Sequence, residues 1–291
     1  MPGWDDITKE LGNTPSQVDY IRRRYIKELS NYRKRNVIIY YSGWQRRPEA
    51  PNLDINDGDM EGFMNALHGL DFDKGLDLIL HTPGGSPTAT EAIVNYLKDK
   101  FKKDLVVIVP QIAMSAGTLI ACSAKEIIMG RQSSLGPVDP QLNGIPAENI
   151  LMEFIEAKED LARNPKNAQY WAIKLQQYPA AFMKTAIDAI ELSKELCEKW
   201  LSDVMLKDED ANQVMRVVEF LNDHNSTKNH GRHFNYILCS KAGLNIKLME
   251  NDNELQDKIL SVHHSCMITL NSTSTIKIIG NHLGKDFISS V

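Results

Sequence analysis

Cysteine is scarce in this chain. Cys122, Cys197, Cys239 and Cys266 are scattered over 291 residues with no CxxC pair. That argues against a thiolate zinc site and against a disulfide framework, and it fits a reducing cytoplasm. Strong net charge is missing too. A total of -5 offers no overall attraction to a polyanion, so no nucleic-acid partner is expected. The opening MPGWDDITKELG has no basic stretch followed by an apolar one, so no signal peptide is expected. HExxH is missing, and NDGDMEG lacks the EF-hand spacing and its final glutamate. The latter reads as a turn and a helix start. No internal repeat or low-complexity segment is evident.

Uncharged runs are also few, with one exception. Residues 105–124 carry no charge and are long enough to span a bilayer. Pro110, Gln111, Ser115, Gly117 and Ser123 divide that run into a β-branched half and a small-residue half. A buried strand, a turn and a buried helix explain it better than a membrane span.

What is present is globular: 42% apolar and 24% charged residues, in a chain long enough for a substantial core. Residues 14–33 predict a helix, with Thr14 as cap, Pro15 in the first turn, and Val18, Ile21, Tyr25 and Leu29 on one face. NVIIYYSG, LDLILH, DLVVIVP and EIIMG predict strands, separated by helices in MEGFMNALHGL, TEAIVNYLKDKF and SAGTLIACSA. Strands alternating with helices predict a mostly parallel, buried sheet. After Gly136 the chain turns helical, through ENILMEFIEAKEDLA and residues 168–205. These patterns set a core with an N-terminal helix and helical extension over residues 1–205, and a small α+β region over 206–291. IRRRYIKELSNYRKRN holds seven basic residues against one acid and reads as a solvated helix face or a subunit contact.

Two apolar runs end abruptly at small residues. LILH is followed by TPGG, and VVIVPQIAM by Ser115-Ala116-Gly117. A serine at a sharp strand-to-helix turn is exposed near the positive helix end, and the amides behind it lack helical partners. That suits a nucleophile beside an oxyanion donor. GxSxG is not present, so an α/β-hydrolase elbow is not supported. Adjacent glycines let backbone approach a ligand closely, so Gly84 or Gly85 can supply a second donor.

Together HTPGGSPTATEAIVNYL, MSAGTLIACSAKEIIMG and SSLGPVDPQL, in this order across residues 36–142, resemble the serine dehydrogenase proteinase family. That family groups with the ClpP/crotonase-fold serine peptidases and is related to signal peptide peptidase A. A weaker likeness continues through ILMEFIEAKED and HGRHFNYILCSKAGLNI. The resemblance implies an α/β, ClpP/crotonase-like core of ββα units and a peptidase working through an acyl-enzyme. It implies Ser115 as nucleophile and the Gly85 and Ala116 amides as oxyanion hole. It further implies a polypeptide substrate, no cofactor and no metal, and self-association into a homo-oligomer.

The general base is less determined. ClpP proteins place a histidine a short way after the serine, where this chain has Asp139-Pro140. The signal-peptide-peptidase relatives use a lysine further downstream. Such a lysine must have a lowered pKa and must reach the serine. Lys158 leads the candidates, because it follows Ile150 and Phe154 at helical spacing and can be buried with them. Lys174 and Lys184 come next. Asp139, held between Pro137 and Pro140, and His81, just before TPGG, are possible supporting residues. His230 and His233 in HGRH, and the pair His263-His264, read as structural or interface residues rather than metal ligands. Two further readings stand beside the peptidase: a non-catalytic scaffold of the same fold, and an acyl-CoA enzyme using the same oxyanion geometry.

Overall fold

The computed structural model describes residues 4–11 and 15–291. The Thr14 cap lies outside the described residues; the helix after it, α1, runs Pro15–Arg33. The apolar runs become strands β1 Asn36–Ser42, β2 Leu76–His81, β3 Leu105–Val109 and β4 Glu126–Met129. Every residue of β1, β2 and β3 is buried. Covering on both faces is why these segments are apolar throughout rather than alternating. Between them lie α2 Asp59–Leu67, α3 Pro87–Phe101 and α4 Ala116–Cys122. The α3 start follows from its sequence: Ser86 Oγ accepts the Ala89 N–H at 3.2 Å, and Pro87 occupies the first turn. The uncharged run 105–124 is thus β3, a short strand Ile112–Ala113 and α4. Among the described residues no helix is long and apolar enough to cross a membrane.

Past residue 136 come α5 Ala147–Arg163, α6 Ala168–Leu175, α7 Phe182–Trp200 and α8 Ala211–Asn222. Three more strands of the main sheet follow among the described residues: β5 Ile246–Leu248, β6 Thr275–Asn281 and β7 Asp286–Ser290, with α9 Asn253–Ser272 between the first two. Among the described residues the main sheet has seven strands, in the order β5-β4-β3-β2-β1-β6-β7. It is parallel from β5 to β1 and antiparallel at β1–β6 and β6–β7. The expectation of a mixed α/β fold with a mostly parallel sheet is met. Residues 206–291, expected as a small α+β region, supply one strand to one edge and two to the other of the same sheet.

Helices cover both faces. Leu78 and Leu80 pack with α2, α3, α4, α7 and α8, whereas Ile79 packs with α1 and α9. The basic cluster of α1 is used within the chain. The buried Arg22 contacts Asp19, Thr269 and Asp286, and Arg23 also binds Asp286. Arg33 and Arg35 share the fully buried carboxylate of Asp77 in β2. The cluster therefore ties α1 to strands β2 and β7, where a solvated face or a subunit contact was expected.

Strand alternation sends His81 to the α1/α9 face. Its ring is fully buried, 4.5 Å from the Trp44 ring and 5.6 Å from the His263 ring, and neither nitrogen has a partner. Burial, then the neighbouring His263, pushes the His81 pKa well below its ordinary 6.5. Burial, then His264, pushes His263 down to about 3.

Both groups fold neutral and would titrate in the unfolded chain. Their stabilisation is therefore present above pH 6.5 and is lost as pH falls toward the folded value. For His263 the loss between pH 7 and pH 5 is about 2 kcal/mol. Urea melts at the two pH values measure it. We expect His81→Phe, which removes an unsatisfied buried imidazole, to flatten the pH dependence and to gain stability at pH 5 over the parent chain.

Candidate active site

The chain leaves β3, forms Ile112–Ala113 and turns at Ser115 with φ 49° and ψ −113° before α4 begins. A non-glycine residue there is strained. Its neighbours hold it: the Met114 N–H donates to Thr82 O at 3.0 Å, and the Gly117 N–H to Met114 O at 2.7 Å. Thr118 pins the following turn, its Oγ1 accepting the Gly136 N–H at 3.0 Å. Ser115 is thus presented between the ends of β2 and β3, at the start of a buried helix.

The two glycines are required by contact. At Gly84 (φ 102°) a Cβ would stand 2.7 Å from Ser115 Cβ and 2.8 Å from Met114 O. At Gly85 (φ 153°) it would stand 2.3 Å from the backbone of Ile55. Ile55 grips this loop as a one-residue strand: its N–H donates to Gly84 O, and Ser86 N–H donates to its carbonyl, both at 2.8 Å. Those bonds use one edge of the loop, so the Gly85 N–H faces the other. The Gly84 N–H is taken by Thr82 Oγ1 at 3.1 Å. Among the described residues no acceptor takes the amides of Gly85 or Ala116. Of the two glycines, Gly85 therefore holds the free donor.

Ile55 is itself held from below by a buried ion pair. Lys277 of β6 donates to Asp59 Oδ1 at 2.7 Å and to the Asp54 carbonyl at 2.8 Å. Tyr40 OH donates to Asp59 Oδ2 at 2.8 Å, and the Asn56 N–H reaches the same oxygen at 3.1 Å. The side chains of Lys277 and Asp59 are 2% and 3% exposed. Burial, then Asp59, pushes the Tyr40 pKa well above 10.0, so its hydroxyl stays a donor.

A cavity of about 380 Å³ opens beside Ser115. Leu119, Val138, Pro140, Leu142, Ala189 and Leu192 form its apolar wall, and Gly84, Gly85, Ala116 and His230 share it with Ser115. His230 Nδ1 lies 2.8 Å from Asp139 Oδ1, and His224 Nδ1 lies 2.9 Å from Asp139 Oδ2. Gln141 donates to Asp139 Oδ2 at 2.9 Å. A carboxylate only accepts, so each histidine carries its proton on Nδ1. In the neutral ring Nε2 of His230 is then the acceptor nitrogen, and the ring lines the Ser115 cavity. Asp139 is buried and His230 partly exposed.

None of the three lysines lines that cavity. Ile150 is buried, but Lys158 is exposed. Eight residues of an α-helix carry a side chain about 80° around the axis, which takes Lys158 off the packed face. Lys174 pairs with Glu153 over the Trp171 ring, and Lys184 pairs with Asp188. Those carboxylates hold both ammonium pKa values above the ordinary 10.5, the wrong direction for a base. His81 lies on the far face of the sheet. His233 Nδ1 meets Ser134 Oγ at 2.7 Å, and His263 Nδ1 meets Tyr41 OH at 3.2 Å. Sequence reasoning gave His230 a structural or interface role and did not single out His224. The one local sign was Asp139, fixed between two prolines and in need of a partner.

A family model described as ClpP-like SDH-type serine proteinase matches residues 14–167. The uncharacterized protein MJ0137 of Methanocaldococcus jannaschii is 34% identical over 221 residues, covering 68% of this chain and 73% of its own. The uncharacterized protein MJ1495 of the same organism is 42% identical over 148 residues, 48% of this chain and 49% of its own.

Lys277→Met leaves the Asp59 carboxylate buried without its cation. We expect it to cost about 3–5 kcal/mol in chemical denaturation. Lys277→Met combined with Asp59→Asn should recover part of that loss. A single variant within about 0.5 kcal/mol of the parent would contradict the role given to the pair.

Proposed function

The chain belongs to the ClpP-like SDH-type serine proteinase family, and from that premise we propose that it hydrolyses peptide bonds with Ser115, His230 and Asp139 as its working set. The observation that carries this reading is the convergence on one cavity of Ser115, two unpartnered amides and the Asp139-bound His230. Ser115 Oγ attacks the scissile carbonyl while Nε2 of His230 takes its proton. Asp139 holds the ring in the required tautomer and stabilises the imidazolium that forms. The Gly85 and Ala116 amides receive the developing oxyanion, each donor worth roughly 3–4 kcal/mol in the transition state. His230 then protonates the leaving amine, and water, activated by the same ring, hydrolyses the acyl-enzyme. The chemistry uses protein groups alone.

The apolar wall of the cavity favours a substrate with an aliphatic side chain on the acyl side of the bond. His230 takes the place that the sequence had offered to a lysine, because it alone among these candidates shares a cavity with Ser115. Self-association, common among relatives of this fold, belongs to the same reading. Exposed Met152, Ile155, Tyr170 and Ile173 on the helical arm are the surface on which to seek it.

Labelling by a fluorophosphonate and turnover of an unfolded protein substrate test the assignment. Ser115→Ala should abolish labelling. His230→Ala and Asp139→Asn should each lower kcat by about 10³ or more with the fold intact. Lys158→Ala and Lys174→Ala should stay within a few-fold of the parent. Full activity in His230→Ala, or its loss in Lys158→Ala alone, would return the base to the lysine.

A further inference from the structure

We propose that a second cavity, on the other side of His230, binds the side chain that follows the scissile bond and selects an aromatic or large apolar one. The proposal rests on the peptidase reading and adds a specificity to it. The cavity measures about 290 Å³ and is lined by Trp44, Gln45, Pro83, Ile112, Met114, Gly231, His233 and His230. It shares Pro83 and His230 with the Ser115 cavity.

Proton transfer decides which half of the substrate each cavity takes. The proton that His230 removes from Ser115 must pass to the leaving nitrogen, so the leaving half lies on the His230 side. The acyl half must keep its carbonyl oxygen at the Gly85 and Ala116 amides, and those residues line the first cavity only. The second cavity touches His230 without Ser115 or either amide. That is the position of the residue bearing the new amino group.

Its lining sets the chemistry. It contains no carboxylate, ammonium or guanidinium, so a charged side chain entering it would lose water without a partner. It offers an indole, an isoleucine and the Met114 thioether, which suit an aromatic guest. The half-buried Trp44 is fixed from behind by the His81 ring, 4.5 Å away. This gives the buried imidazole, whose nitrogens have no partner, a place in the device: it is the floor on which the indole rests. His233 is oriented by Ser134 at 2.7 Å, and exposed Gln45 stands at the rim.

Partitioning of the acyl-enzyme reads this cavity directly. An N-acyl-leucine p-nitrophenyl ester acylates Ser115 and releases nitrophenolate. An added amine then competes with water. Its nitrogen bonds to the acyl carbon as the Ser115 Oγ–C bond breaks, and its proton passes through His230 to the serine oxygen. At equal concentrations of free amine, phenylalaninamide should capture the acyl group about tenfold better than glycinamide. Trp44→Leu and Ile112→Ala, on separate segments, should each bring that ratio toward one. Equal capture of the two amides by the parent chain, or a stronger capture by lysinamide, overturns the proposal. A ratio that survives both substitutions does the same. If no nitrophenolate release depends on Ser115, the peptidase reading itself fails, an outcome distinct from equal capture.

Discussion

The ammonium of Lys277 sits in the interior between β6 and the loop before α2, and the candidate site depends on it. One cation meets the Asp54 carbonyl and the Asp59 carboxylate, while Tyr40 and Asn56 donate to the other oxygen of Asp59. The segment so anchored carries Ile55, and Ile55 holds the glycine loop through two backbone bonds. A buried charge is costly unless partnered in this way. Its presence here gives the loop one position rather than several. The free Gly85 amide is a consequence: with one edge of the loop committed to Ile55, the other is left to face Ser115.

The same logic of committed edges explains the strain at Ser115. A positive φ at a serine persists because the chain is tied on both sides of it: Met114 bonds to Thr82 before the turn and to Gly117 after it, and Thr118 bonds to Ala113 and Gly136. Gly84 then admits the serine Cβ where any side chain would collide. The site is thus assembled from a strained turn and a bare loop pressed together, with an apolar cavity against them. The buried Asp139 then joins α8's C-terminal flank to the loop before α5 by taking His224 on one oxygen and His230 on the other. A carboxylate already bonded by two imidazoles and Gln141 has little freedom to turn.

The legible parts of the sequence were those where a local rule had no competitor. LDLILH and DLVVIVP are short apolar runs that end at breakers, and the second is rich in β-branched residues, so their strands followed. TPGG and the Ser115-Ala116-Gly117 break stood out because apolar chain stops abruptly there. The placement of the lysines outside the Ser115 cavity was not legible, because helical spacing over eight residues drifts off a face and because Glu153 and Asp188 could not be seen to pair with Lys174 and Lys184. The N-terminal basic cluster misled for a similar reason: Asp77 and Asp286, its partners, lie far away in sequence. Residues 206–291 looked appended because their pattern of elements reads as a separate α+β unit, yet β6 and β7 complete one edge of the sheet and β5 the other.

By itself the sequence determined the α/β class, the positions of four of the five parallel strands and the two breaks that carry Ser115 and Gly85. Each is written in contiguous residues, where hydrophobic periodicity and backbone sterics act over a turn or a strand. Only the tertiary structure decided which polar groups meet. His230 stands 115 residues beyond Ser115 in the chain, and no short-range pattern links them. Lys277 reaches Asp59 across 218 residues. Hydrogen bonds act over a few ångströms of space whatever the separation along the chain, so partners of this kind are set by the closing of the sheet.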